Sequence, residues 1–166
     1  MYPLRVSCIR KGGTMKKVFA AAFLLCLCPC PLHALETYAG SIKTVRGTAT
    51  IVRGSQPIAV TLGTRVYRND TLKTGADGSL AMVFRDDTLL SIGPDSELVV
   101  NEFLYSPAEG KLSLVTRMLK GTAAFVSGII GKLAPASVRF ETPVATIGLR
   151  GTRFAVRIEE QAAEQR

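Results

Sequence analysis

Near its C-terminal end the chain reads Glu141-Thr-Pro-Val-Ala-Thr-Ile-Gly-Leu-Arg-Gly-Thr-Arg-Phe-Ala-Val156, and this stretch constrains the fold more than any other. Phe154, Val156 and Ile158 alternate with Arg153, Ala155 and Arg157, a period of two that sets an apolar face against a cationic one. Pro143 fixes φ and disfavours helix at Thr142. Gly148 and Gly151 are expected to adopt backbone angles that a β-carbon resists. The reading is a strand, a turn region and a second strand.

The same texture runs back to Tyr38. Gly47-Thr-Ala-Thr-Ile-Val-Arg53 is rich in β-branched residues and is followed by a turn at Gly54-Ser-Gln-Pro57. Ser79-Leu-Ala-Met-Val-Phe-Arg85 puts Leu80, Met82 and Phe84 on one face; Asp86-Asp87 then turns into Thr88-Leu-Leu-Ser-Ile92, a predicted hairpin. Gly93-Pro-Asp-Ser96 and Ser106-Pro-Ala-Glu-Gly110 punctuate the next runs, and Gly121 and Gly128 bracket Thr122–Ser127. Arg117–Lys120 carries no helical stripe worth the name, and Ile129-Ile130 is long enough for one turn only. The pattern predicts one all-β domain over residues 38–158, built of short antiparallel strands in a sandwich or jelly-roll-like arrangement, with a short β-solenoid as the alternative. Residues 159–166 are polar, have no apolar face and read as a tail.

Ahead of this domain, Lys16-Lys17, the apolar run Val18–Leu27, Pro29, Pro31 and Leu32-His-Ala34 have the order of a secretory signal peptide over residues 15–34. About twenty apolar residues are needed to span a bilayer as a helix, so a cleaved signal with no stable transmembrane segment is expected. Residues 1–14 have no structural logic of their own. Lys11-Gly12-Gly13 can be encoded by a purine run resembling a ribosome-binding site, which makes Met15 the expected start and the preceding residues an upstream extension. Cys26, Cys28 and Cys30 leave lipid anchoring as an alternative, although Leu25, Leu27 and Pro29 stand where a lipoprotein signal carries a small residue. The predicted location is periplasmic or secreted.

Removing the leader changes the charge. Of 21 basic residues five precede Ala34, while all 13 acidic ones follow it, so the net charge falls from +8 to +3. That balance gives little drive toward nucleic acid. The four cysteines and the only histidine, His33, also lie at or before the leader. The remainder therefore lacks the commonest acid–base group, soft metal ligands and thiol nucleophiles. No nucleophile motif surrounds Ser91. No enzymatic activity and no cofactor are expected.

Two residue groups are candidates for binding. Asp86, Asp87 and Asp95 could serve a hard cation such as calcium, but carboxylates at those turns bond the local backbone, and no twelve-residue ligand loop is present. Arg139, Arg150, Arg153 and Arg157 could form a cationic docking patch, against the alternative of a solvated strand face that discourages edge pairing.

In order and spacing these segments resemble the FecR domain. Gly47–Arg53 is similar to its opening strand, Leu62-Gly63 through Thr71–Thr74 to the segment that follows, and Ala76–Pro94 to its central hairpin. Leu119–Gly128 resembles its glycine–aromatic strand, and Thr142, Pro143, Gly148 and Gly151 mark its closing signature. The resemblance implies an all-β envelope module. Founding members relay a signal from an outer-membrane transporter to a sigma factor, and carry a cytoplasmic segment, a membrane helix and a further C-terminal domain. The expectation for this chain is an exported, non-enzymatic interaction module in envelope signalling or regulation, contacting an envelope protein or polymer. The alternative is a structural envelope component or saccharide-binding module.

Overall fold

A computed structural model describes residues 37–148 and 153–158. The predicted leader, the upstream extension, the tail, Arg150 and Gly151 lie outside the described residues. Twelve strands form one continuous sheet: β1 Gly40–Arg46, β2 Ala49–Arg53, β3 Gln56–Ala59, β4 Arg65–Val66, β5 Thr71–Thr74, β6 Ser79–Phe84, β7 Leu89–Ile92, β8 Glu97–Ser106, β9 Lys111–Val126, β10 Val138–Glu141, β11 Thr146–Gly148 and β12 Arg153–Ile158. One short helix, α1 (Ile129–Leu133), sits between β9 and β10. Among the described residues no helix is long and apolar enough to cross a membrane.

The all-β expectation holds. The sheet order β3-β2-β5-β8-β9-β7-β6-β1-β4 is a curled sheet resembling half a barrel, rather than a plain sandwich of two separate sheets. Nearly all pairings are antiparallel, which does not suit a solenoid of stacked parallel coils. The pairing of β10 with β9 is parallel, against the expectation of antiparallel strands throughout. Residues 127–137, including α1, supply the crossover that a parallel neighbour requires.

β9 explains the curl. It has 16 residues, where the glycine at 121 read as a strand boundary. Its first half lies between β8 and β10, its second between β7 and β12. Glu97 pairs with Lys120 and Leu98 with Met118, leaving Leu119 as the extra residue of a bulge. Side chains alternate faces along a strand, so one extra residue reverses the inward set: Leu114, Thr116 and Met118 are buried before it, Ala123 and Phe125 after it. Gly121 takes φ +93° there, and a β-carbon on it would overlap the Oγ and Cα of Ser96. The β7–β8 turn docks on this kink: Gly93 N–H donates to the Thr122 carbonyl at 2.9 Å, and Thr122 N–H to Ser96 Oγ at 2.9 Å.

The two wings meet through aromatic rings. Phe84 of β6 stacks on Phe103 of β8 at 5.5 Å, while Phe140 of β10 meets Phe154 of β12 edge-to-face at 5.2 Å. Leu80, Met82 and Phe84 are buried, as their alternation predicts, and face a core that includes Ile42, Ile51, Leu72, Leu90 and Leu98.

Candidate functional site

β12 is an edge strand. It pairs with β9 from Arg153↔Val126 to Ile158↔Gly121, and its other edge pairs with no described strand. Its residues alternate between exposed and half-buried as the period of two dictates, with Arg153, Ala155 and Arg157 outward. Phe154 anchors the other face, stacked on Phe125 at 5.4 Å as well as against Phe140. Among the described residues the strand is therefore fixed from beneath and open above and along one side.

Across from it stands the β10–β11 hairpin. Thr142 N–H donates to the Ala145 carbonyl at 2.8 Å, and the Thr142 hydroxyl both donates to that carbonyl at 2.9 Å and accepts from Ala145 N–H at 3.0 Å. This clamp closes a turn around Pro143 and Val144, and it leaves Val144 80% exposed. Thr142 and Pro143 thus belong to the tip of this hairpin. Gly148 departs from expectation: its φ is outside the left-handed region, and an added β-carbon would meet open space. It ends β11 opposite Arg139 in regular pairing, so this glycine is not required by backbone conformation.

Between hairpin and edge strand lies a groove of about 840 Å³, lined on the apolar side by Leu119, Val144, Ile147, Val156 and Ile158, with Lys120 and Arg157 among its polar lining. The bulge that bends β9 is also what turns Leu119, 40% exposed, toward this groove.

The structure brings only part of the predicted arginine patch together. Arg153 and Arg157 share the outer face of β12, and neither forms an ion pair with a described residue. Arg139 is exposed on β10 but pairs at Val115 of β9, seven residues along that strand from Thr122, the partner of Arg157. Glu141, two residues on, is engaged by Arg117 at 2.7 Å.

The three aspartates separate into different roles. Asp86 is fully buried: its carboxylate accepts from Thr88 N–H at 3.2 Å, from the Thr88 hydroxyl at 2.7 Å and from Ile130 N–H at 3.2 Å. It ties the β6–β7 hairpin to the start of α1. Asp87 and Asp95 hold left-handed turn positions at φ +63° and +48°.

Sequence reasoning missed a second buried carboxylate. Asp70 accepts from Arg53 Nε at 2.8 Å and Arg53 Nη2 at 2.9 Å, and from Tyr67 N–H at 2.8 Å, while the Arg53 guanidinium lies 4.4 Å from the Tyr67 ring. The Arg68-Asn69-Asp70 turn was the only local signal; the arginine comes from 17 residues away. Sequence reasoning also missed the groove, which needs the hairpin, the bulge and β12 to be placed together.

No curated protein is a match to this chain. Among solved structures, one described as a cell surface anchoring domain is 31% identical over 37% of this chain and 82% of its own length, with a TM-score of 0.36. The family model described as FecR protein matches residues 70–165, beginning after the Gly47–Arg53 stretch that also resembles the family. That match spans more than half of the 166 residues and includes the central hairpin, the bent strand, the Thr-Pro turn and β12, so this chain belongs to the FecR family.

Proposed function

We propose that this protein is an exported, non-enzymatic interaction module of the bacterial envelope, which docks a partner protein through the face built by β12 and the β10–β11 hairpin. The observation that carries the reading is the coincidence of three features at one place: a strand edge that pairs with no described strand, an apolar groove and two exposed arginines with no ion-pair partner among the described residues. Two strand cations elsewhere are matched by a carboxylate on a neighbouring strand: Lys73 meets Glu97 at 3.0 Å and Arg117 meets Glu141. Exposed contiguous apolar surface rimmed by charge is the ordinary anatomy of a docking site. Family membership supports an envelope location and a role in signalling or regulation, and the leader-like order of residues 15–34 supports export.

The test is site-specific crosslinking in living cells. A photo-crosslinking residue at Arg157 should capture a discrete envelope protein, and one at Arg46 on β1 should not. Crosslinks at both positions to the same abundant proteins, or at neither, would defeat the assignment. Mass spectrometry of the captured product also reads whether the chain begins near Leu35, as export predicts.

A further inference from the structure

We propose that the partner enters as an extended acidic segment and adds a strand to the free edge of β12, filling the groove in front of the β10–β11 hairpin. This deepens the docking reading above and rests on it. In an antiparallel ladder alternate residues direct their N–H and C=O groups to one side, so the edge of β12 that pairs with no described strand offers a row of donors and acceptors at strand spacing. Strand addition satisfies that row, and pockets beside the edge then read alternate side chains.

The side chains of β12 select the chemistry. Arg153 and Arg157 are four residues apart on the exposed face, so an added strand sets residues of the same spacing directly opposite them. Opposite-charge pairs there are favourable, which specifies Asp or Glu at two partner positions four apart. Residues of the partner strand with the other parity stand opposite Phe154 and Val156, the latter lining the groove, and are specified as apolar. The resulting pattern is acidic, apolar, any, apolar, acidic.

The same arginines argue against a second copy of this chain as the occupant. Two β12 strands paired antiparallel about Ala155 would set Arg153 opposite Arg157 twice, and like charges directly opposite destabilise a pair. The edge is thereby protected from self-association while remaining open to an acidic strand.

The experiment uses the purified chain and a blocked peptide of the stated pattern, with glutamate at both acidic positions and valine at the apolar ones. Two controls replace both glutamates by lysine, or the central residue by proline. Binding is followed by fluorescence anisotropy, and amide hydrogen exchange locates it. The glutamate peptide should bind, with the lysine and proline peptides each weaker by about tenfold or more. Exchange should slow at amides within Arg153–Ile158. The double variant Arg153→Glu, Arg157→Glu, whose folding is checked by its melting curve, should prefer the lysine peptide.

Equal binding of the proline peptide would reduce the interaction to unspecific charge attraction and overturn strand addition. So would protection elsewhere than β12, failure of the glutamate peptide to bind, or a concentration-dependent dimer that protects β12. If Arg157 crosslinks a discrete protein in cells while the peptide shows none of these effects, the docking face stands and the strand mechanism falls. If the peptide binds as expected but no cellular crosslink forms, the edge is competent and the assigned role in the envelope falls.

Discussion

Two regions of the curled sheet handle polar groups in opposite ways. Near the β4–β5 turn and the β6–β7 hairpin, carboxylates are buried completely and each is surrounded by donors: Asp70 by Arg53 and Tyr67, Asp86 by Thr88 and Ile130. At β12 the charged groups are exposed, face no described counter-ion and border an apolar groove. Buried polar groups without partners are costly, so the first arrangement constrains the fold. Exposed charges cost little to hold, so the second leaves binding chemistry free of structural duty. Substitutions in the two regions should therefore separate stability from recognition.

The largest effect is expected at Asp86→Ala. It leaves the N–H groups of Thr88 and Ile130 and the Thr88 hydroxyl without their acceptor in a buried site, a loss of about 3–4 kcal/mol. Chemical denaturation would measure it; a loss below about 1 kcal/mol would show that the aspartate ties nothing together. Next is Gly121→Val, which forces a β-branched residue to φ +93° and into Ser96, costing about 2–4 kcal/mol. Because Gly121 sits at the bend of β9, this variant should also lower exchange protection on both β8 and β12. Confinement of the damage to one wing would argue that β9 does not couple them.

Asp70→Asn is milder. The amide retains one oxygen for Tyr67 N–H or Arg53, but it loses the charge and one of the two guanidinium bonds, for about 1–2 kcal/mol. Adding Arg53→Ala should then cost little more, since the pair is coupled; full additivity in the double-mutant cycle would contradict the latch.

What could be read in advance follows the range of the interactions. The β6–β7 hairpin was legible because Leu80, Met82 and Phe84 alternate within six residues and Asp86-Asp87 turns immediately after them. β12 was legible for the same reason. The single strand β9 was not: Gly121 has the local character of a terminator, and only pairing to β7, β8, β10 and β12 carries the chain through it. Nor does alternation disclose that β10 runs parallel to β9. At the site, the two arginines of β12 could be paired by spacing alone, whereas Arg139 belongs to β10 and pairs with β9 at Val115. The Asp70–Arg53 latch and the groove depend on sheet order, which period and turn chemistry do not determine.

Gly148→Ala probes the border between the two regimes. Its φ is ordinary and the space is open, so alanine restricts the unfolded chain without native strain and should stabilise by about 0.5 kcal/mol. A clear destabilisation would return this glycine to the conformational role that its place in the signature suggests.

The smallest effect on stability is expected at Arg153→Ala, and it tests the comparison most sharply. The guanidinium is on the exposed face of β12, makes no ion pair with a described residue, and shares its strand with Phe154, whose ring contacts Phe125 and Phe140 hold the backbone in place. Removing it should change stability by less than about 0.5 kcal/mol, the usual range for a surface substitution. It should nevertheless weaken capture at Arg157 in cells and binding of the glutamate peptide in vitro, because one of two charge-assisted contacts is gone. The melting curve and the binding isotherm must therefore move independently. If Arg153→Ala unfolds the domain while Asp86→Ala is tolerated, the division between stapled turns and a recognising edge is reversed.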